Sequence, residues 1–282
     1  MRRKSHPILR YLARGGAAAA AAGFSCLAYA YLTLPDVRPL VKVNPSTTAF
    51  MELRSREARS QGKEPRRVQR WVNYRHISPS LTRAVLVAED DAFWQHEGVD
   101  FEQLQQSLEL DLARGRFVRG ASTITQQLAK NLYLSPSRNP LRKFRELILA
   151  RRLEAELKKA RILELYLNVI EWGDGIYGAE AAARTYFSSP ASAIGPTQAA
   201  LLAGAIVNPR LLNPARPTPR LLSRQQLILR RMGAVSPPPP EPEPFPQSSD
   251  GEHGAPLVQV PAPLEPVPSS AEPSPNNFPE QR

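Results

Sequence analysis

Apolar positions run together near the N-terminus, recur at helical spacing through the middle of the chain, and thin out after residue 235. From Gly15 to Leu34 no residue is charged, a length sufficient for a helix to cross a hydrocarbon core about 30 Å thick at about 1.5 Å per residue. From Ser78 onwards the pattern predicts a series of amphipathic helices. Ser78 stands at an N-cap with Pro79 in the first helical position, and Leu81, Ala84, Val85 and Ala88 follow as one stripe. Asp100 caps a second helix with Phe101, Leu104, Leu108 and Leu112 as its buried stripe, closed by Gly115. Thr123 and Gln126 have capping-box spacing and open a third. Asn139 and Pro140 open a long fourth, to about Lys158, with Phe144, Leu147 and Ile148 in its apolar face. Further helices are expected at 162–168, 178–187, 196–206 and 219–232. No stretch alternates with a period of two, so the fold is expected to be mainly α.

Composition divides the chain further. Its 29 prolines are too many for one compact domain, and most follow Ser236 in a tail of Pro, Glu, Ser and Gln; such a segment is expected to be disordered. The net charge of +11 calls for an anionic partner: nucleic acid, acidic lipid or a pyrophosphate-bearing substrate. No aromatic-interleaved basic module is present, which argues against nucleic acid. The single cysteine, Cys26, excludes a disulfide framework and a clustered thiolate metal site. Arg2, Arg3, Lys4, Arg10 and Arg14 precede the apolar run, placing the N-terminus in the cytoplasm and the remainder outside. Ala28-Tyr29-Ala30 would suit cleavage of an export signal, but the apolar run exceeds the usual signal core of about 7–15 residues, and we read it as an anchor. The expected organisation is a basic N-terminus (1–14), a transmembrane anchor (15–34), a membrane-proximal, solvated connector (35–74), one helical domain (75–235) and a Pro-rich tail (236–282).

Three stretches carry candidate chemistry. Glu89-Asp90-Asp91 lies where an apolar helix runs out, and a carboxylate against such a wall has its pKa raised towards a general-base range; adjacent acids at a helix end are also commonly just solvated. Gly120 to Asn131 is a Gly-led loop feeding a helix whose first turns carry Ser122, Thr123, Gln127 and Lys130. Free N–H groups and hydroxyls there would make a phosphate cradle. Arg142, Lys143 and Glu146 share a helix face, as a surface ion pair or as cations that meet a leaving group. His96 has no companion ligands, so no metal site is expected.

Read together, E-D-x-x-F-x-x-H-x-G at 89–98, G-x-S-T-I-T-Q-Q-x-x-K-N at 120–131, R-K-x-x-E at 142–146, I-L-E-x-Y-L-N at 162–168, and Ala199 to Ala203 with Asn208-Pro209 resemble, in order, the motifs of the peptidoglycan glycosyltransferase family. The likeness is to its monofunctional biosynthetic members. Gln198 departs from it where the family often has Glu. The resemblance implies a lysozyme-like helical domain with a smaller membrane-facing lobe, preceded by one transmembrane helix. It implies transfer of a growing glycan from undecaprenyl pyrophosphate to the 4-hydroxyl of lipid II, with inversion to a β-1,4 linkage. Glu89 matches the base and Glu146 the second essential carboxylate. Lys130, Arg142 and Lys143, assisted by Ser122, Thr123 and Gln127, match the pyrophosphate site, while Asp90 and Phe93 line the surroundings of the base. No cofactor is implied as obligatory, although a divalent cation (Mg or Mn) assists the diphosphate in some relatives. The implied setting is the inner (cytoplasmic) membrane; apart from the resemblance, the Pro-rich tail is a candidate contact for division or elongation proteins. The competing readings are a lytic transglycosylase or lysozyme-type hydrolase, which needs no pyrophosphate site, and an inactive cell-wall scaffold.

Overall fold

A computed structural model describes residues 7–114, 122–134 and 140–233. Gly115, the Gly120-Ala121 start of the candidate cradle, Asn139 and the tail lie outside the described residues. The chain is mainly helical, as expected. In order it forms α1 (Pro7–Leu32), α2 (Ala49–Ser60), β1 (Val68–Gln69), α3 (Pro79–Glu89), α4 (Phe101–Arg114), α5 (Ile124–Tyr133), α6 (Pro140–Glu156), α7 (Lys159–Val169), β2 (Glu171–Gly173), β3 (Ile176–Tyr177), α8 (Ala179–Phe187), α9 (Pro196–Ala205) and α10 (Pro219–Met232).

Capping residues set several boundaries. The side chains of Thr48, Ser78, Thr123 and Thr218 each accept a backbone N–H from the first turn of α2, α3, α5 and α10, and Asp100 Oδ1 accepts from Gln103 N at 2.8 Å at the start of α4. Gln198, the departure from the family pattern, accepts from Gly195 N through its Oε1 at 3.3 Å, a bond a Glu would also make. Packing then builds two groups of helices: α3 lies against α9 and α10, while α5 lies against α2, α6 and α7. From Ala199 to Ala205 helix α9 is apolar and buried on every side. Its Gly204 lies so close to α10 that an added Cβ would stand 3.0 Å from Leu221 Cδ1.

The structure corrects three expectations. The segment 35–74 is not a solvated connector: Val37, Leu40 and Met51 are buried in the main core, and β1 is part of a sheet. The packed body therefore begins well before residue 75. Where it is described, the predicted stripe of α4 is exposed and not buried, with Phe101 64% and Leu112 80% exposed. Helix α6 buries Glu146, Leu149, Ala150 and Leu153, not Phe144 and Leu147, because packing against α5 selects that face.

The small sheet has the order β1-β3-β2, with β1 parallel to β3 (Val68 opposite Ile176) and β2 antiparallel to it. Asp174-Gly175 turns the hairpin, and Gly175 has φ +68 with Arg66 O only 2.5 Å from where a Cβ would stand.

Residues Arg14–Leu32 of α1 are long and apolar enough to cross a membrane, with a mean hydropathy of 1.3. The end of this helix is held by α6. Arg145 donates to Thr33 O at 3.1 Å, Arg152 donates to Tyr31 O at 3.4 Å, and the Arg152 guanidinium stands 4.5 Å over the Tyr31 ring. Cations at the carboxyl end of a helix satisfy its free carbonyls and complement its dipole.

Candidate active site

Glu89 is the last residue of α3, and the helix that delivers it buries Leu81, Ala84, Val85, Leu86 and Val87. That apolar wall removes water from one side of the carboxylate. Burial pushes the Glu89 carboxyl above its ordinary value, while a hydrogen bond from Gln127 and the positive charges of Arg224 and Lys130 oppose the rise. Gln127 Nε2 donates to Glu89 Oε2 at 2.9 Å. Gln127 Oε1 in turn accepts from the hydroxyl of Tyr166 at 2.9 Å. Glu89, Ser122 and Gln127 line a cavity of about 470 Å³ whose far wall is α10, including Arg224 and Arg231.

Thr123, expected to assist at the pyrophosphate, and Asp90 and Phe93, expected to line the surroundings of the base, are joined in one packed turn. Asp90 accepts from Ile124 N at 2.8 Å and from His96 Nε2 at 3.0 and 3.1 Å. Because His96 Nδ1 accepts from Gly98 N at 3.1 Å, its proton resides on Nε2, facing Asp90. Thr123 Oγ1 donates to Gly98 O at 2.7 Å and accepts from Gln126 N. Phe93 is fully buried against Trp94, with Lys159 Nζ 4.4 Å from its ring centroid. These residues tie the end of α3 to the start of α5, and their polar groups are already satisfied. They shape the carboxylate's surroundings without facing the cavity as ligands; Asp90 alone also touches the cavity wall.

Helices α5 and α6 bring together a cluster of cations. Glu146 is 3% exposed, and each of its oxygens holds one cation: Lys143 Nζ on Oε1 and Arg142 Nη1 on Oε2, both at 2.5 Å. Lys143 also donates to Ser122 Oγ and Gln126 Oε1 at 3.3 Å. With a cation on each oxygen, Glu146 sets the position of both. The Lys130 ammonium makes no hydrogen bond or ion pair within the described residues. Burial lowers its pKa, Glu146 raises it, and the charges of Arg142 and Lys143 lower it again. Its field also reaches Glu89, so Lys130 links the carboxylate to the cation cluster. The cluster does not itself line the cavity; Ser122 and Gln127 adjoin both.

Sequence reasoning missed Arg224, Arg231 and Tyr166. Arg224 donates to Gly204 O at 3.1 Å, and Arg231 pairs with Asp91 at 2.8 Å. Arg220, Arg224, Leu227 and Arg231 recur at spacings of four, three and four along α10, a helical-face signal that was available. Tyr166 reads as packing because its ring is packing; only its hydroxyl faces the site.

A desolvated acid with cations and N–H donors near it, on helices that leave an open cavity beside it, is an arrangement that suits acid–base chemistry on an anionic substrate. The family model described as Transglycosylase matches residues 54–233, and the chain belongs to that family. Among curated relatives, the biosynthetic peptidoglycan transglycosylase of Laribacter hongkongensis is 48% identical over 195 residues, covering 69% of this chain and 86% of that protein. The same-named protein of Dechloromonas aromatica is 48% identical over 196 residues (70% and 85%), and that of Aromatoleum aromaticum 49% over 189 (67% and 82%). The match begins inside α2, ahead of residue 75, consistent with the burial of Met51.

Proposed function

We propose that this enzyme polymerises the glycan chains of peptidoglycan, transferring the growing chain from its undecaprenyl pyrophosphate to the 4-hydroxyl of lipid II. Glu89 is the base. Its carboxylate removes the hydroxyl proton as the oxygen attacks the anomeric carbon on the face opposite the leaving diphosphate, so the linkage is inverted to β-1,4. Lys130, Arg142 and Lys143, with Ser122 and Gln127 nearby, meet the charge that develops on the diphosphate. Fixed cations act most strongly when they need not reorganise during the reaction, and Glu146 supplies that fixity through its two short ion pairs.

The observation that carries the reading is the half-buried Glu89, with raised proton affinity, close to a partly exposed cluster of cations fixed on Glu146. A hydrolase acting on finished polymer has no diphosphate to neutralise and would gain nothing from that cluster. Among the described residues no three His, Cys, Asp or Glu side chains are grouped to hold a metal ion. A protein-held divalent cation does not fit among Lys130, Arg142 and Lys143, and no step here passes through one. Membership of a monofunctional transglycosylase family and the apolar α1 support an anchor in the inner membrane, with the catalytic body on its outer side. Recruitment of division or elongation proteins would fall to residues 236–282, which lie outside the described residues.

Polymerisation of purified lipid II by the full chain in detergent, read as glycan length on a gel, tests the proposal. Glu89→Gln is expected to lower the rate by about 10²–10⁴-fold, the usual contribution of a general base, with the fold intact by circular dichroism. Substantial residual rate, or release of soluble fragments from sacculi without chain growth, would overturn it.

A further inference from the structure

The ring of Tyr166 is fully buried in α7, and among the described residues its hydroxyl has one partner, Gln127 Oε1. Gln127 reaches Glu89 with the other end of the same carboxamide. A carboxamide presents opposite polarity at its two ends, so the end fixed by one neighbour dictates what is offered to the other. An ionised Glu89 only accepts hydrogen bonds and needs the N–H end. The Oε1 that this orientation turns inward needs a donor, and Tyr166 supplies it. We propose that Tyr166 is a positioning residue for the reaction: by donating to Gln127 it locks the amide with its N–H towards Glu89 Oε2, leaving Glu89 Oε1 to receive the acceptor's proton.

This rests on Glu89 being the base, and it adds a consequence. Once protonated, Glu89 becomes a donor, but the locked amide still offers N–H and cannot accept. Protonated on Oε1, Glu89 keeps the Gln127 N–H on Oε2 only as a neutral acceptor, a weaker bond than the carboxylate makes, and the amide offers no acceptor for the new O–H; release of the proton is favoured, which returns the base to its working form. Turning the amide would break its bond to Tyr166 and leave a buried hydroxyl unsatisfied, a cost on the scale of one lost hydrogen bond. Burial holds the Tyr166 phenol well above its ordinary pKa, so its proton stays in place to be donated. The other charged groups facing Glu89 do not set the amide: Asp90 on its own segment is bound to His96 and Ile124 N, and Lys130 on α5 acts through its field. On α10, Arg224 donates to Gly204 O, and Arg231 is paired with Asp91.

The test is the pH dependence of kcat/KM for lipid II polymerisation by the full-length enzyme in detergent. With Tyr166→Phe the ring remains and the amide is free to turn, so that its oxygen can accept from a protonated Glu89. The acid limb is expected to move up by about 0.5–1 pH unit, the equivalent of one hydrogen bond. KM should change less than about twofold, and the rate should recover at alkaline pH, where Glu89 ionises in either form. Gln127→Met, which keeps the chain length and removes both bonds, should shift the limb in the same direction, and adding Tyr166→Phe to it should shift it no further. A limb unmoved in Gln127→Met, unmoved in a folded Tyr166→Phe, or displaced additively in the double variant overturns the positioning role. Glu89→Gln separates the two claims. If that variant stays active, the base assignment fails; if it is inactive while the limb of the others stays in place, only the Tyr166 relay fails.

Discussion

At the scale of single residues, catalysis and stability make opposite demands on Glu89. The wall of α3 that raises its proton affinity also makes its ionised form unfavourable in the folded state. The sign follows from proton binding. A carboxyl whose folded pKa exceeds its unfolded value binds more protons when folded, so stability falls as pH rises from the ordinary value of 4.5 through the raised one. Above that window the full cost of the buried charge is present, and below it there is none. Glu89→Gln, neutral at every pH, is therefore expected to melt at a higher temperature than the parent at pH 7 and at the same temperature near pH 4. Thermal melts at both pH values check this, and equal melting temperatures at pH 7 would mean that Arg224, Lys130 and Gln127 fully offset burial.

At the scale of elements, the segment between α3 and α5 decides whether Glu89 and the cations are held together, and Gly98 is its pivot. It has φ +85; its N–H fixes the His96 tautomer, its carbonyl accepts from Thr123, and an added Cβ would stand 3.1 Å from Ala150 O. Gly98→Ala should cost about 1–3 kcal/mol through backbone strain, a fall of several degrees in melting temperature. A melt unchanged within a degree would show that the turn can relax. The caps at Ser78, Asp100 and Thr123 were legible because they are local: each stands within three residues of the N–H it accepts. The faces of α4 and α6 were not, since periodicity reveals that a stripe exists but not which neighbour will cover it. On α6 the strongest apolar triplet lost to a face containing Glu146, because the two cations on that carboxylate and the contact with α5 outweigh it. The hairpin was signalled only by Asp174-Gly175; strands of two and three residues are too short to show alternation. In the site, Glu89 and the cations were readable from motif spacing, whereas the inward turn of Thr123 and the hydroxyl of Tyr166 depend on partners 25 and 39 residues away.

At the scale of the whole molecule, residues ahead of 75 are part of the body and not a tether for it. Val37, Leu40 and Met51 enter the main core, and burying three such side chains contributes about 5–9 kcal/mol. Asn168, fully buried, is satisfied by Val72, whose N–H donates to Oδ1 at 2.9 Å and whose carbonyl accepts from Nδ2 at 2.8 Å. Glu164 accepts from Tyr74 N at 2.8 Å, and Glu171 pairs with Arg54 at 3.2 Å. A chain beginning at Arg75 would lose all of these, leaving the buried Asn168 Oδ1 without its donor at about 1–3 kcal/mol on top of the lost core, against a total stability of about 5–15 kcal/mol for a folded protein. Such a chain is expected not to fold. A chain beginning at Tyr29 removes most of the apolar span yet keeps the contacts of Tyr31 and Thr33 with Arg152 and Arg145, and should melt cooperatively in mild detergent. Circular dichroism of the two chains decides the matter: a cooperative transition from the Arg75 chain would return the segment to the status of a connector, and its absence there, with a sharp transition in the longer chain, would place the start of the catalytic body at the exit of α1.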